Sequence, residues 1–309
     1  VRAGSLSAMT INTGQGITNS GDGVLGFSHI DTGALTLSST GTADGYGVGT
    51  QSQYLVTAGA SELVLSSARD VRVNARNADH TAAINLDKLH ITSTSGAASN
   101  SAYSVLSSGA TLTLGRTTAP NWYQAEQQGA LGTYIVGLTN TDALDFRFVG
   151  NAPIQVNASS IGAADFALQT TYGIHFDGNL SGSTGDISFK AGGSNGNYKG
   201  ITLNGRSVTT QDGSITLDGR GGTGQNTDQY RNQSDQFGVW IAGAGAVRAT
   251  GTGTISITGQ GGSTSSNASN EHGNNSDGVV IAGTGRVESG SGAIAIRGTG
   301  GSNSWQASR

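Results

Sequence analysis

Gly253-Thr-Ile-Ser-Ile-Thr-Gly259 decides the fold, because the chain spells this stretch three times. It appears first as Gly213-Ser-Ile-Thr-Leu-Asp-Gly219 and last as Gly292-Ala-Ile-Ala-Ile-Arg-Gly298, at offsets of 40 and 39 residues. Its apolar residues sit at i and i+2, the period of a β-strand. Ile255 and Ile257 therefore share one face, and Ser256 and Thr258 the other. A second block keeps step with the first: Gly200-Ile-Thr-Leu-Asn-Gly205, Gly238-Val-Trp-Ile-Ala-Gly243 and Gly278-Val-Val-Ile-Ala-Gly283. Self-similarity at this period marks stacked supersecondary units, none of which buries its apolar face alone.

Aligned by repeat, Ile215, Ile255 and Ile294 form one inward column, and Leu217, Ile257 and Ile296 a second. The other block adds Ile201, Val239, Val279 and then Leu203, Ile241, Ile281. A lone valine recurs between the blocks as Val208, Val247 and Val287, which predicts a very short third strand. Three strands per turn with inward aliphatic ladders describe a parallel β-helix, its strands ~4.8 Å apart along the axis. Glycine at both ends of each strand is expected to supply corners of positive φ.

The upstream chain follows the same grammar less strictly. Gly173-Ile-His-Phe-Asp-Gly178 and Gly185-Asp-Ile-Ser-Phe-Lys190 make an earlier coil, and short apolar alternations precede it at 154–156, 144–148, 112–114, 86–91, 71–73, 63–65 and 35–37. The expectation is an all-β chain, a β-solenoid of roughly ten coils and on the order of 50 Å in length. Residues 1–309 read as one β-helix, irregular over 1–172 and regular over 173–309. An excursion is expected near 116–132, where Asn121 to Gln128 would form a turn or two of helix. The polar stretches 219–237 and 259–277 leave the body at the same corner and predict long lateral loops.

Composition narrows the function classes. Charged residues make up 12% of the chain, against the roughly 25% usual for soluble domains. A Gly-rich chain of this kind suggests disorder, but regularly spaced Ile/Val/Leu triplets argue against it. The net charge of −4 offers no basic footprint for nucleic acid. Apolar runs are too short for a membrane-spanning helix, so no membrane insertion is expected. The absence of cysteine suits a chain exported unfolded. The Val-Arg-Ala start, without Met, reads as a mature or excised fragment.

Catalytic motifs do not assemble. Asn140-Thr-Asp142 and Asn226-Thr-Asp228 are similar to a triplet of polygalacturonases, β-helical glycosidases that also carry a paired Asp, a Gly-His-Gly and an Arg-Ile-Lys; none of these occurs here. Glycoside hydrolysis needs paired carboxylates, whereas Glu62, Glu126, Glu271 and Glu288 are scattered. Gly-Gly pairs begin at 192, 221, 261 and 300 without the following Asp of calcium-binding nonapeptides. Asp228, Asp235 and Asp277 then read as solvated loop acids, and the five histidines show no metal-ligand spacing. The expectation is a protein without enzymatic activity, cofactor or metal.

What remains is a lateral surface. His175, Thr202, Trp240 and Val280 fall at the outward middle position of equivalent strands. Trp240 beside Val280 would stack a sugar or form an adhesive patch. Alternatively, Tyr230 and Phe237 in the adjoining loop would cover it as a second small core. Trp122 and Tyr123 admit the same two readings. The regular outward threonine array that ice binding needs is broken, because the outward ladders run Thr216, Ser256, Ala295 and Asp218, Thr258, Arg297.

The pattern Gly-x-Ile-x-Ile-x-Gly-x-Gly-Gly, a variable loop, then Gly-Val-x-Ile-Ala-Gly resembles the repeats of filamentous-haemagglutinin-like bacterial exoproteins. Residues 173–303 carry the resemblance clearly, and 1–172 only in general style. It implies a right-handed β-helical shaft, exported by two-partner secretion and displayed on the cell surface. The family's N-terminal secretion domain with Asn-Pro motifs is not visible, since the only prolines are Pro120 and Pro153. A piece of shaft, or a relative exported by another route, is the expectation. Its function would be that of an extracellular, adhesin-like shaft holding lateral loops in register against glycans or proteins of a host or neighbouring cell. The last repeat shows no polar cap, so more chain or coils of another subunit would stack on it. Two alternatives stand beside this: a polysaccharide-binding or polysaccharide-degrading module of tailspike or lyase type, and a self-assembling filament subunit.

Overall fold

The computed structural model describes residues 2–3, 8–18, 23–27, 33–43, 46–50, 53–79, 81–84, 86–94, 102–106, 108, 110–117, 132–140, 144–193, 198–223, 225–226, 235–266 and 276–305. Among them all regular secondary structure is β-strand, and most pairing is parallel. The arrangement is compatible with a β-solenoid. The stretch 118–131, with the expected helix, lies outside the described residues.

A ten-stranded sheet runs from Ala8–Thr13 to Ile294–Thr299, its strands taken in chain order. Every neighbouring pair in it is parallel. Register carries two inward ladders across all of it. One passes Met9, Leu35, Leu63, Leu89, Phe146, Phe166, Ile187, Ile215, Ile255 and Ile294. The other passes Ile11, Leu37, Leu65, Ile91, Phe148, Leu168, Phe189, Leu217, Ile257 and Ile296. From Leu35 to Ile257 these side chains are at most 1% exposed, so each layer is sealed by the next.

The 39–40-residue period is a short layer plus an insertion. The register advances 20 residues from Phe146 to Phe166, 21 to Ile187 and 28 to Ile215 before reaching 40 at Ile255. The additional residues leave beyond the body strands and, where described, form a small parallel sheet of Gln225–Asn226, Thr264–Ser266 and Asn303–Trp305. Where they are described, the insertions thus stack on one another as the body does.

The facing seventeen-stranded sheet departs from uniform parallel pairing at one place. Ala110–Thr117 runs antiparallel to Ala102–Leu106 on one side and to Thr133–Asn140 on the other. On the ten-stranded sheet Lys88–Ser93 pairs directly with Asp145–Gly150, so this side carries two rows more than its opposite. Large rings sit there. Tyr134 packs edge-on against Phe148 at 4.9 Å and against Tyr103 at 6.1 Å. The Arg116 guanidinium lies 5.2 Å from the Tyr134 ring centre, and the Tyr134 hydroxyl sits 2.6 Å from Ser93 Oγ. Past this point the side splits: Tyr134–Val136 pairs with Ile154–Val156, and Thr139 with Ser160. The short strands Ser207–Thr210, Ala246–Ala249 and Arg286–Ser289 continue the second branch and hold Val208, Val247 and Val287.

The corner glycines need a correction. Positive φ is found at Gly205, Gly243 and Gly283, which end the second block, but not at Gly213, Gly253 or Gly292. Those three are required by closeness. A Cβ on Gly253 would lie 2.1 Å from the Gly213 carbonyl oxygen, and each equivalent glycine meets the backbone of the layer before it. Closeness also requires Gly261 and Gly262 of one Gly-Gly pair, where a Cβ would lie 1.7 Å from Ser276 O and 1.9 Å from Gly222 O, whereas Gly192 and Gly193 have positive φ.

Candidate functional site: the lateral face

Strand register places Gln155, His175, Thr202, Trp240 and Val280 in one outward column. The column is not bare. The segments preceding strands Ile201–Asn204 and Val239–Ala242 fold over it, and their Tyr198, Lys199, Gln236 and Phe237 are all buried. Phe237 lies 6.4 Å from Trp240 and tilted 38° to it, while Lys199 Nζ sits 5.1 Å from the Trp240 ring. Thr202 beneath them is fully buried. Tyr198 donates its hydroxyl to Thr171 O at 3.0 Å, fastening the cover to the neighbouring layer. Trp240 is therefore half-buried in a small satellite core, with its indole face taken by a cation and a ring.

His175 lies at the edge of this cover. Burial lowers its pKa from 6.5 to about 4; Asp177 opposes the shift, and Arg206 and Lys199 add to it. The imidazole is neutral at neutral pH and carries no charge to a partner. Tyr230, Trp122 and Tyr123 lie outside the described residues.

A groove that the motifs did not indicate opens beside the column. It has a volume of about 420 Å³ and is lined by Thr111, Thr113, Gly137, Thr139, Asn157, Ala158, Asp177 and Gly178. Thr111 and Thr139 face each other across the antiparallel pair, and both are exposed. At the far wall Gln155 Nε2 donates to Asn157 Oδ1 at 3.2 Å and to Asp177 Oδ2 at 3.3 Å. Arg206 approaches Asp177 at 3.7 Å. Hydroxyls and amides held on paired strands suit polyhydroxylated ligands. Among the described residues the lining holds one carboxylate, Asp177. Sequence reading missed the groove because it depends on the reversed strand Ala110–Thr117, whose Thr-x-Thr alternation looks like any other.

At the corner where the lateral sheet leaves the body a second hollow, of about 310 Å³, is floored by backbone at Gly221, Gly261 and Gly301. Among the described residues no group of three or more His, Asp or Glu is placed to hold a metal ion. No family model, no curated protein and no solved structure matches this chain.

Proposed function

We propose that this chain is a non-enzymatic structural shaft of the extracellular or bacterial cell surface, similar in style to filamentous-haemagglutinin-like exoproteins. Its body would be a right-handed parallel β-helix of about ten coils. The reading rests chiefly on the two inward ladders that keep one register across the ten-stranded sheet. Such stacking holds lateral segments at fixed spacing, and the small sheet through Gln225–Asn226, Thr264–Ser266 and Asn303–Trp305 repeats in step with it. Repeated weak contacts to glycans or proteins of a host or neighbouring cell would then add as avidity.

The test is binding of the purified chain to intact cells and to a glycan array, beside a variant whose segments 227–234 and 267–275 are replaced by Gly-Ser of equal length. Retained β-sheet circular dichroism with at least tenfold weaker binding supports the shaft reading. Unchanged binding overturns lateral presentation by these loops.

The groove on Thr111, Thr139 and Asp177 favours one other reading, a polysaccharide-binding module. Gly137 lines it, and a Cβ there would meet nothing nearer than Asn157 Cβ at 3.4 Å. Gly137→Leu would therefore fill the groove with little strain. Loss of glycan binding in this variant, with the loop variant unaffected, would replace the first reading by the second.

A further inference from the structure

The groove on the lateral face continues beyond its own walls. Its Thr111 and Thr139 begin an outward column of hydroxyls, one to each row: Thr111, Thr139, Ser160, Ser181 and Thr209 follow one another in register. The first four are exposed and Thr209 is half-buried. Beside the column runs the corner of Gly137, Ala158 and Gly178, residues too small to fill the hollow they line. Across that corner stand Asn157 and Asp177. After Thr209 the column turns to Arg248 and Glu288, paired at 2.8 Å, so the uncharged track ends there.

The two sides of the track offer different polar groups. Ser181 Oγ donates to Ser159 O at 3.5 Å and Thr209 Oγ1 to Leu180 O at 3.3 Å, which leaves their lone pairs as acceptors. Gln155 Nε2 already donates to Asn157 Oδ1, so Asn157 offers its Nδ2 donors, and Asp177 is balanced by Arg206 at 3.7 Å. A ligand here meets hydroxyl acceptors on one side, amide donors and a carboxylate on the other, and no net charge. That chemistry fits an uncharged polyol. The rungs recur at the strand spacing of ~4.8 Å along the stack. An extended peptide repeats its side chains on one face every ~6.8 Å and falls out of step. An unbranched β-1,4-linked hexopyranose chain is straight and advances about one row per sugar, whereas the α-1,4 linkage curls away from the track.

We propose that an uncharged β-1,4-linked glycan chain lies along this track, in the direction in which the layers stack. The groove at Thr111, Thr139 and Asn157 holds its first sugars, and Ser160, Ser181 and Thr209 hold the sugars that follow. The proposal rests on the groove reading given above and adds the linkage, direction and length of the ligand. Each rung contributes an ordinary hydrogen bond of modest net value, so affinity accumulates with the number of sugars.

Titration calorimetry of the full chain with cellobiose, cellohexaose and maltohexaose is the test. Cellohexaose should bind about tenfold more tightly than either of the others. Ser160→Val/Ser181→Val removes two rungs that lie outside the groove lining, at exposed strand positions that accept a β-branched residue. It should weaken cellohexaose about fivefold while cellobiose binding and the β-sheet circular dichroism stay unchanged. Equal binding of the three sugars, or cellohexaose binding that the double variant leaves intact, would overturn the track. The groove reading would survive that result if Gly137→Leu still abolished binding. No binding of any of the three sugars would also overturn the track, and a glycan array that is blank or indifferent to Gly137→Leu would remove the groove reading with it.

Discussion

Ile257 and Ile296 are the same residue in the same ladder, and only one of them has a layer above it. Ile257 is fully buried and Ile296 is 43% exposed. Ile257→Ala should cost about 3 kcal/mol, in the range for buried large-to-small changes. Ile296→Ala in the monomer should cost under about 1 kcal/mol, since little apolar area is lost. Urea titration followed by hydrogen exchange separates the two, because a stacked array can lose its end layer before the rest. His175 gives a prediction in pH. Its pKa falls from 6.5 in the unfolded chain to about 4 in the fold, so the unfolded state takes up the proton first as pH drops. The stability it confers is complete above pH 6.5 and is lost on the way down to pH 4. His175→Gln should remove on the order of 2 kcal/mol of this acid sensitivity, measured as the difference in unfolding free energy between pH 7 and pH 4. His90, whose pKa burial also lowers, acts in the same direction and remains in the variant. An equal pH dependence in both chains would remove the desolvated imidazole from the account.

Among the elements, the corners carry the sharpest tests. Gly253→Ala puts a methyl group 2.1 Å from the Gly213 carbonyl oxygen, and backbone on both sides has no rotamer to yield. A loss of about 3 kcal/mol or failure to fold is expected there. Gly115 has no atom within 4 Å of its would-be Cβ and no positive φ, so Gly115→Ala should change the thermal midpoint little. The glycines were readable as corners, but their reason was not: spacing along the chain does not show that the preceding layer's carbonyl fills the position. The strands of the regular repeats were legible because Ile-x-Ile alternation between glycines leaves one choice of face. Thr133–Asn140 (TYIVGLTN) was not, since it spans both branches of its sheet and pairs backwards with Ala110–Thr117. Antiparallel pairing follows from where the chain returns, which no local pattern encodes. The groove on those strands stayed hidden with it.

For the whole molecule the period itself needed the register to be understood. A 39–40-residue repeat looks like one unit, whereas layers of 20 and 21 residues upstream show that about half of it is insertion. The outward column of His175, Thr202, Trp240 and Val280 was legible from alignment of the repeats. Its cover by Phe237 was one of the two readings the sequence offered, whereas the part taken by Lys199 depended on how the insertions turn back; Tyr230, Trp122 and Tyr123 fall outside the described residues. The account predicts a body whose stability is shared along a line of similar contacts, with end layers fraying first and lateral segments exchanging faster than the ladders.

The central claim is that the repeats stack in one parallel register, and a cysteine-free chain allows it to be read by cross-linking. Thr216 and Ser256 are register partners on the outward face. Neighbouring Cα atoms in such a pair lie about 4.8 Å apart, within reach of a disulfide. Thr216 and Thr258 share that face but are offset by two residues, which separates them by about 8 Å. Thr216→Cys/Ser256→Cys should oxidise quantitatively within one chain and raise the unfolding midpoint, while Thr216→Cys/Thr258→Cys should stay reduced under the same conditions. Equal oxidation of both pairs, or preference for the offset pair, would contradict the stacked register and the shaft built on it.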